Sequence, residues 1–200
     1  MTALIFFVTI ISLFVLFIRL IIKVIKHKPV TSTIRTFVII VLSYTVLWGF
    51  FYFISGYKVV PPGTDVCFDD WCATVTKTER PETLGSENQV LKPNGQFIIL
   101  NIIMSNKAKG IAQKPSEPRI HIIDEMGNSY SYSAEGQLAL EKQKGKQIPI
   151  DERLELHQSL ETKLVFDVPK DAKGLKALIE EGPFITKLLF NENKEVFLIP

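Results

Sequence analysis

The sequence predicts two membrane-spanning helices followed by an all-β sandwich. Two long apolar runs lie within the first 57 residues. A cluster of positive charge separates them, and no acidic residue occurs in that stretch. The remainder reads as short β-branched segments parted by Gly, Pro, Asn and Asp, the pattern of sandwich strands and their turns.

The first run, ALIFFVTIISLFVLFI, extends from Ala3 to Ile18 and continues past Arg19 through Leu20, Ile21 and Ile22. The second, TFVIIVLSYTVLWGFFYFIS, extends from Thr36 to Ser55. About twenty apolar residues cross the hydrocarbon core as a helix. Within lipid, backbone bonding outweighs the poor helix propensity of the β-branched residues. Helices are therefore expected over about 3–22 and 36–55.

Arg19, Lys23, Lys26, Lys28 and Arg35 lie at or between the runs, with His27, and no cation precedes the first run. Positive loops remain cytoplasmic. The expected arrangement is multi-pass in the plasma or inner membrane, with both termini on the extracytoplasmic side. Trp48, Tyr52 and Tyr57 near the end of the second run suit an aromatic belt at the outer interface. A cleaved signal peptide is the competing reading of the first run, but neither a basic n-region nor a small-residue cleavage site accompanies it. The basic cluster is also a candidate contact for anionic lipid headgroups.

The net charge is +2, from 23 basic and 21 acidic residues. Six of the basic residues and none of the acidic ones fall within residues 1–60, leaving 17 against 21 in residues 61–200. The outer part is thus mildly acidic, which argues against nucleic acid as a partner. Its size suits one domain. The expected organisation is an anchor over 1–58, a linker over 59–66 that contains VVPPGTD, and a β domain over 67–200.

Cys67 and Cys72 are the two cysteines of the chain, and both lie in the outer part. In an oxidising compartment the leading reading is a disulfide closing CFDDWC. A redox-active pair is the alternative, although four intervening residues differ from the two of thioredoxin-like motifs.

Along the outer domain, Trp71 to Thr78 alternates and reads as a strand. Glu79 to Gly95 is polar, broken by prolines and glycine, and reads as a loop or weak edge. QFIILNIIMS, from Gln96 to Ser105, is the strongest strand and is expected to be central. Arg119 to Asp124 and Ser129 to Ser133 read as a hairpin about Glu125–Asn128. Ala134 to Lys144 fits a short helix or a loop. Leu160–Val168, Leu175–Ile179, Phe184–Phe190 and Glu195–Ile199 complete about seven strands.

Several of these segments are similar to a known family. GQFIILNIIMSNKAKG, IHIIDEMGNSYSYS and LETKLVFDVPKDAKGLKALI resemble the DUF4352 or telokin-like group of bacterial extracytoplasmic domains. The matching positions are Asn106; Asp124, Gly127 and Tyr130; and Phe166, Asp167, Val168 and Pro169, within a match over roughly residues 70–199. The family's Pro-Gly turn before the late strand is replaced here by LHQS, residues 156–159. The resemblance implies an immunoglobulin-like sandwich, secreted or membrane-attached, with no established enzymatic role.

Candidate chemistry is sparse. Asp69 and Asp70 are adjacent, so an extended chain points them apart. His121 and His157 lie in different segments, and no GxSxG, HExxH or Walker A motif is present. Trp71 is expected in the core beside the disulfide. The sequence therefore predicts no catalytic residue, metal or cofactor. It predicts a non-catalytic interaction or adhesion module, or an accessory subunit of the cell envelope, partnered by the bilayer and an envelope or membrane protein. The alternative function is a thiol–disulfide redox or envelope-stress sensor using Cys67 and Cys72.

Overall fold

A computed structural model of the chain describes residues 2–54, 56–86, 89–182 and 194–200, without the side chains of 2, 3, 52–54 and 194. The described residues form a helical unit up to Gly56 and a β unit from Tyr57 onward.

In the helical unit, α1 (Thr2–Ile25) and α2 (Thr31–Ile54) are each 24 residues long. Each measures about 36 Å at the standard rise, enough to cross a bilayer. The last turn of α1 closes where the Lys28 N–H reaches the Lys23 carbonyl at 2.9 Å. His27 there takes a φ of 51°, and Pro29 blocks continuation. α2 starts five residues before the expected Thr36, because Thr31, Ser32 and Thr33 form its first turn. The helices run antiparallel: Phe6 meets Tyr44 at 6.3 Å between ring centroids, and Lys23 Nζ donates to Thr33 Oγ1 at 2.7 Å. The hydroxyls of Thr9, Thr36 and Thr45 donate back to carbonyls four residues earlier, at 2.8–3.0 Å. The outer faces are apolar and uncovered, with Phe14 63%, Leu42 59% and Val46 70% exposed.

The β unit is a sandwich. Its first sheet comprises β1 (Tyr57–Val60), β7 (Arg119–Ile123), β8 (Ser129–Tyr130), β10 (Lys176–Glu180) and β11 (Lys194–Leu198), in the order β1-β11-β10-β7-β8. The second comprises β2 (Val66–Phe68), β3 (Trp71–Glu79), β6 (Gln96–Asn106) and β9 (Ser159–Val168), in the order β2-β3-β6-β9. A small hairpin, β4 (Leu84–Ser86) with β5 (Gln89–Leu91), and α3 (Ala134–Lys144) complete the described elements. The expected strand Phe184–Phe190 lies outside the described residues.

The segment expected to be a linker is a correction. Val59 and Val60 belong to β1, which pairs in parallel with β11 through Tyr57↔Lys194 to Val60↔Phe197. The sandwich thus begins ten residues before the expected boundary at 67. PPGTD is a turn into β2, tied down where the Gly63 N–H bonds the Val75 carbonyl at 2.9 Å. Of the two readings of Glu79–Gly95, loop or weak edge, the described residues show short strands, the β4–β5 hairpin.

β6 is central, as its composition predicts. Ile98, Leu100, Ile102 and Met104 join the core between the sheets, with Ile120, Ile122, Ala177 and Phe197 among its members. Phe97 and Ile99 on the other face pack with Leu84, Ala139, Leu140 and Val165. α3 therefore covers the outside of the second sheet. Two buried faces explain the nearly continuous apolar run, which only Asn101 interrupts. The alternation expected along β3 fails at one point, where a bulge between Val75 and Lys77 shifts the register.

α3 is a helix because Ser133 caps it, its hydroxyl accepting from the Gly136 N–H at 3.1 Å. A Cβ at Gly136 would lie 2.7 Å from Val165 Cγ1, so the helix rests directly on β9. It also closes the edge of β9. The Gln137 amide donates to the Lys163 carbonyl at 2.9 Å, and its oxygen accepts from the Val165 N–H at 3.1 Å. One side chain thus stands in for a neighbouring strand, which protects an otherwise open edge.

Candidate functional site

Cys67 and Cys72 are bonded, with sulfurs 2.03 Å apart. They are directly opposed across the β2–β3 hairpin, in the register Val66↔Ala73, Cys67↔Cys72 and Phe68↔Trp71. Cys72 is fully buried, whereas Cys67 is exposed. The hairpin turn is Asp69–Asp70, with Asp69 at a φ of 53°. Because the turn already holds the strands together, the disulfide adds little closure. Cys67→Ser with Cys72→Ser should lower stability by about 2 kcal/mol at most and leave the far-ultraviolet circular dichroism spectrum unchanged, as checked by urea unfolding.

Trp71 is buried in the core, as expected, but its aromatic neighbour is Phe68, at 6.0 Å. Successive strand residues face opposite ways, so the Trp71 ring and the disulfide lie on opposite faces of the hairpin. The expected ring-on-disulfide packing is corrected accordingly.

The other candidate ligands lie in structural settings. Asp65 pairs with Lys107 at 3.1 Å, and the Asp70 carbonyl accepts from the Lys107 N–H at 2.8 Å. His121 sits on β7 opposite Leu178. His157 sits in the LHQS turn at a φ of 60°, in the conformation that glycine favours. No cluster of three metal-ligating side chains occurs among the described residues.

The polar residues of the family-like motifs fasten turns. Asn106, 2% exposed, closes the far end of β6. Its Nδ2 donates to the carbonyls of Ile111, Leu154 and Glu155 at 3.0–3.2 Å. Its Oδ1 accepts from the Ala108 N–H at 2.9 Å. Asp124 organises the β7–β8 turn, accepting from the Met126 and Asn128 N–H groups, Asn128 Nδ2 and the Tyr130 hydroxyl at 2.7–2.9 Å. Gly127 takes a φ of 85° in that turn. Asp167 accepts from the N–H groups of Asn94 and Gly95, at 2.8 and 2.9 Å. A cavity of about 610 Å³ opens beside this turn, lined by Asp167 and Ser133 among others. Both groups are already engaged, Asp167 by the turn and Ser133 by the cap of α3.

One network was not legible in advance. Glu79 at the end of β3 accepts from buried Asn101 at 3.1 Å, and lies 3.6 Å from both Lys144 of α3 and Lys163 of β9. The signal was present only as separate charges in distant segments. The bond from Asn101, aided by Lys144, Lys163 and Lys77, holds the Glu79 carboxyl below its ordinary range. The Asn128 side chain, with the backbone N–H groups and the Tyr130 hydroxyl, does the same for Asp124. Depressed carboxyls stabilise the fold fully above their unfolded values, about pH 4, and that contribution is lost as pH falls through the folded values. The unfolding midpoint should therefore be flat between about pH 6 and 8 and fall below about pH 4. Asp124→Asn should remove part of that fall in a denaturant series run at each pH.

In the helical unit, Arg19, Lys23, Lys26 and Lys28 line one cavity of about 510 Å³ with Ser32 and Thr33. Arg35 is absent from that lining. Trp48 and Tyr52 are carried on α2, Trp48 half-buried. Tyr57 lies on β1 and is 45% exposed.

Together these features define a β-sandwich domain that follows two apolar helices. Its fold is similar to that of a conserved hypothetical protein from Bacillus anthracis. That protein is 20% identical, with a TM-score of 0.50 over 66% of this chain and 91% of the other. An uncharacterized β-sandwich protein from Clostridium difficile overlays at 15% identity and a TM-score of 0.46, over 73% and 96% of the two chains. A secreted protein from Mycobacterium tuberculosis does so at 10% and 0.47, over 72% and 99%. At these identities the likeness bears on fold alone, and the two looser overlays add nothing to the argument. No protein-family model matches the chain, and neither does any curated protein.

Proposed function

We propose that this chain is a membrane-anchored, extracytoplasmic β-sandwich protein that acts as a non-catalytic interaction or adhesion module, or as an accessory subunit, at a bacterial cell envelope. α1 and α2 are the anchor, the basic turn between them is cytoplasmic, and both termini and the sandwich lie outside. The observation that carries this reading is the bare apolar surface of both helices, whose most apolar 18-residue stretches have no residue buried. A soluble core helix hides such a surface. Here the threonine hydroxyls bond back to the helix, which suits a medium without water. Membership of the DUF4352 or telokin-like group is supported by Asn106, Asp124 and Asp167, each fastening a turn at a motif position.

A non-catalytic role is supported by where the polar groups go. Asn106, Asp124 and Asp167 of the motifs, and Ser133 beside the cavity at the Asn94–Gly95 turn, bond backbone groups. The partner is a protein of the envelope or membrane. Crosslinking intact cells, followed by denaturing purification of the full chain, should yield a discrete adduct with a second protein. Recovery of the uncrosslinked chain alone at every crosslinker length speaks against an interaction role.

The exposure of Cys67 favours one competing reading, a redox or envelope-stress sensor. A structural bridge has a reduction potential below about −300 mV, and a working one lies well above it. Measuring the potential of the Cys67–Cys72 pair separates the two.

A further inference from the structure

We infer that the turn between α1 and α2 holds a binding site for a phosphate-bearing anion, formed by Arg19, Lys23, Lys26 and Lys28 with the hydroxyls of Ser32 and Thr33. Arg19, Lys23 and Lys26 recur at spacings of four and three residues, so they share one face of α1. That face meets the first turn of α2, and the six residues line a single cavity of about 510 Å³. Lys23 Nζ and buried Thr33 Oγ1 are bonded at 2.7 Å, which fixes one wall.

α1, α2 and the turn between them supply this cavity with no acidic counter-ion. No acidic residue occurs before Asp65. The carbonyl end of α1 offsets part of the charge, while the amide end of α2 adds to it. Val30, which precedes the first turn of α2, brings no side-chain acceptor for that turn's N–H groups. An orienting loop needs positive charge but not its convergence on a cavity with hydroxyls and helix amides. Arg35 shows the contrast, since it serves orientation equally without lining the cavity. Phosphate oxygens match ammonium, guanidinium, hydroxyl and amide donors together. At this level the phosphate is either the headgroup of an anionic phospholipid or a free phosphate.

The site rests on the membrane-anchor reading, and its test keeps the two apart. The detergent-purified full chain is titrated with phosphatidylglycerol, phosphatidylcholine or inorganic phosphate, and bound species are counted by native mass spectrometry. Saturable binding of phosphatidylglycerol over phosphatidylcholine assigns the site to a lipid headgroup. Saturable binding of inorganic phosphate without that lipid preference assigns it to free phosphate. The double variant Lys23→Gln with Lys26→Gln should weaken binding about 25-fold, at about fivefold per charge. Arg35→Gln should stay near the native value. Absence of both kinds of binding in the native chain overturns the inference, whatever the variants do. So does an Arg35→Gln loss as large as that caused by removing either lysine singly, because the attraction is then diffuse. Helix content by circular dichroism shows that the variants remain folded. Failure of the anchor reading has its own signatures, an intact mass lacking α1 or release of the chain from membranes by carbonate.

Discussion

Gly95→Ala should destabilise the sandwich by about 3 kcal/mol or more. A Cβ at this position would lie 2.1 Å from the Val168 carbonyl oxygen, 2.7 Å from its carbon and 2.9 Å from Pro169 Cα. All three atoms are backbone, so no side-chain rotation relieves the contact. The neighbouring pair Gln96↔Val168 opens the β6–β9 ladder, the longest pairing among the described strands, and the Gly95 N–H is one of the two held by Asp167. Relief therefore requires the ladder to part at its end and the turn to leave Asp167. The urea midpoint of the full chain, read by near-ultraviolet circular dichroism, should fall sharply. An unchanged midpoint means that the turn approaches β9 less closely than described.

Asn106→Ala should cost a similar amount, about 3 kcal/mol. The amide ties three separate carbonyls and one N–H at the opposite end of β6. Alanine removes the acceptor of the buried Ala108 N–H and one of the two donors to the buried Leu154 carbonyl, where the desolvation penalty is retained. Asn106→Asp should be worse than alanine. It keeps the acceptor for the Ala108 N–H but turns a carboxylate oxygen toward the three carbonyls. If aspartate proves milder than alanine, the orientation of the amide is the reverse of the one described.

The two apolar helices, the central strand and the hairpin about Glu125–Asn128 were legible because each carries its pattern locally. Continuous apolar composition marks α1 and α2, and a nearly continuous apolar run flanked by turn residues marks β6. What was not legible depends on distant partners. Val59 and Val60 resemble a linker, and Tyr57 the edge of the anchor, until the pairing of Tyr57–Val60 with β11 is seen, from which it is separated by most of the β unit. Lys58 bonds Glu195 at 2.6 Å across 137 residues. α3 buries only Gly136, Ala139 and Leu140, too small a face to give a helical period. The β3 bulge leaves no trace in an alternating sequence. The basic residues between the helices were legible as an orienting cluster, but their convergence on one cavity follows from the turn at His27–Val30. The polar motif positions could be read as a pattern, and their purpose, to fasten turns, emerges only from the hydrogen bonds.

The central claim is the disposition of the chain across a membrane. Its most direct test is labelling of spheroplasts with a membrane-impermeant, amine-reactive reagent, followed by peptide mapping. Lysines of the sandwich, such as Lys107 and Lys142, should be modified on sealed spheroplasts. Lys23, Lys26 and Lys28 should react only after lysis. Labelling of the turn lysines in sealed spheroplasts, with the sandwich protected, would contradict the arrangement.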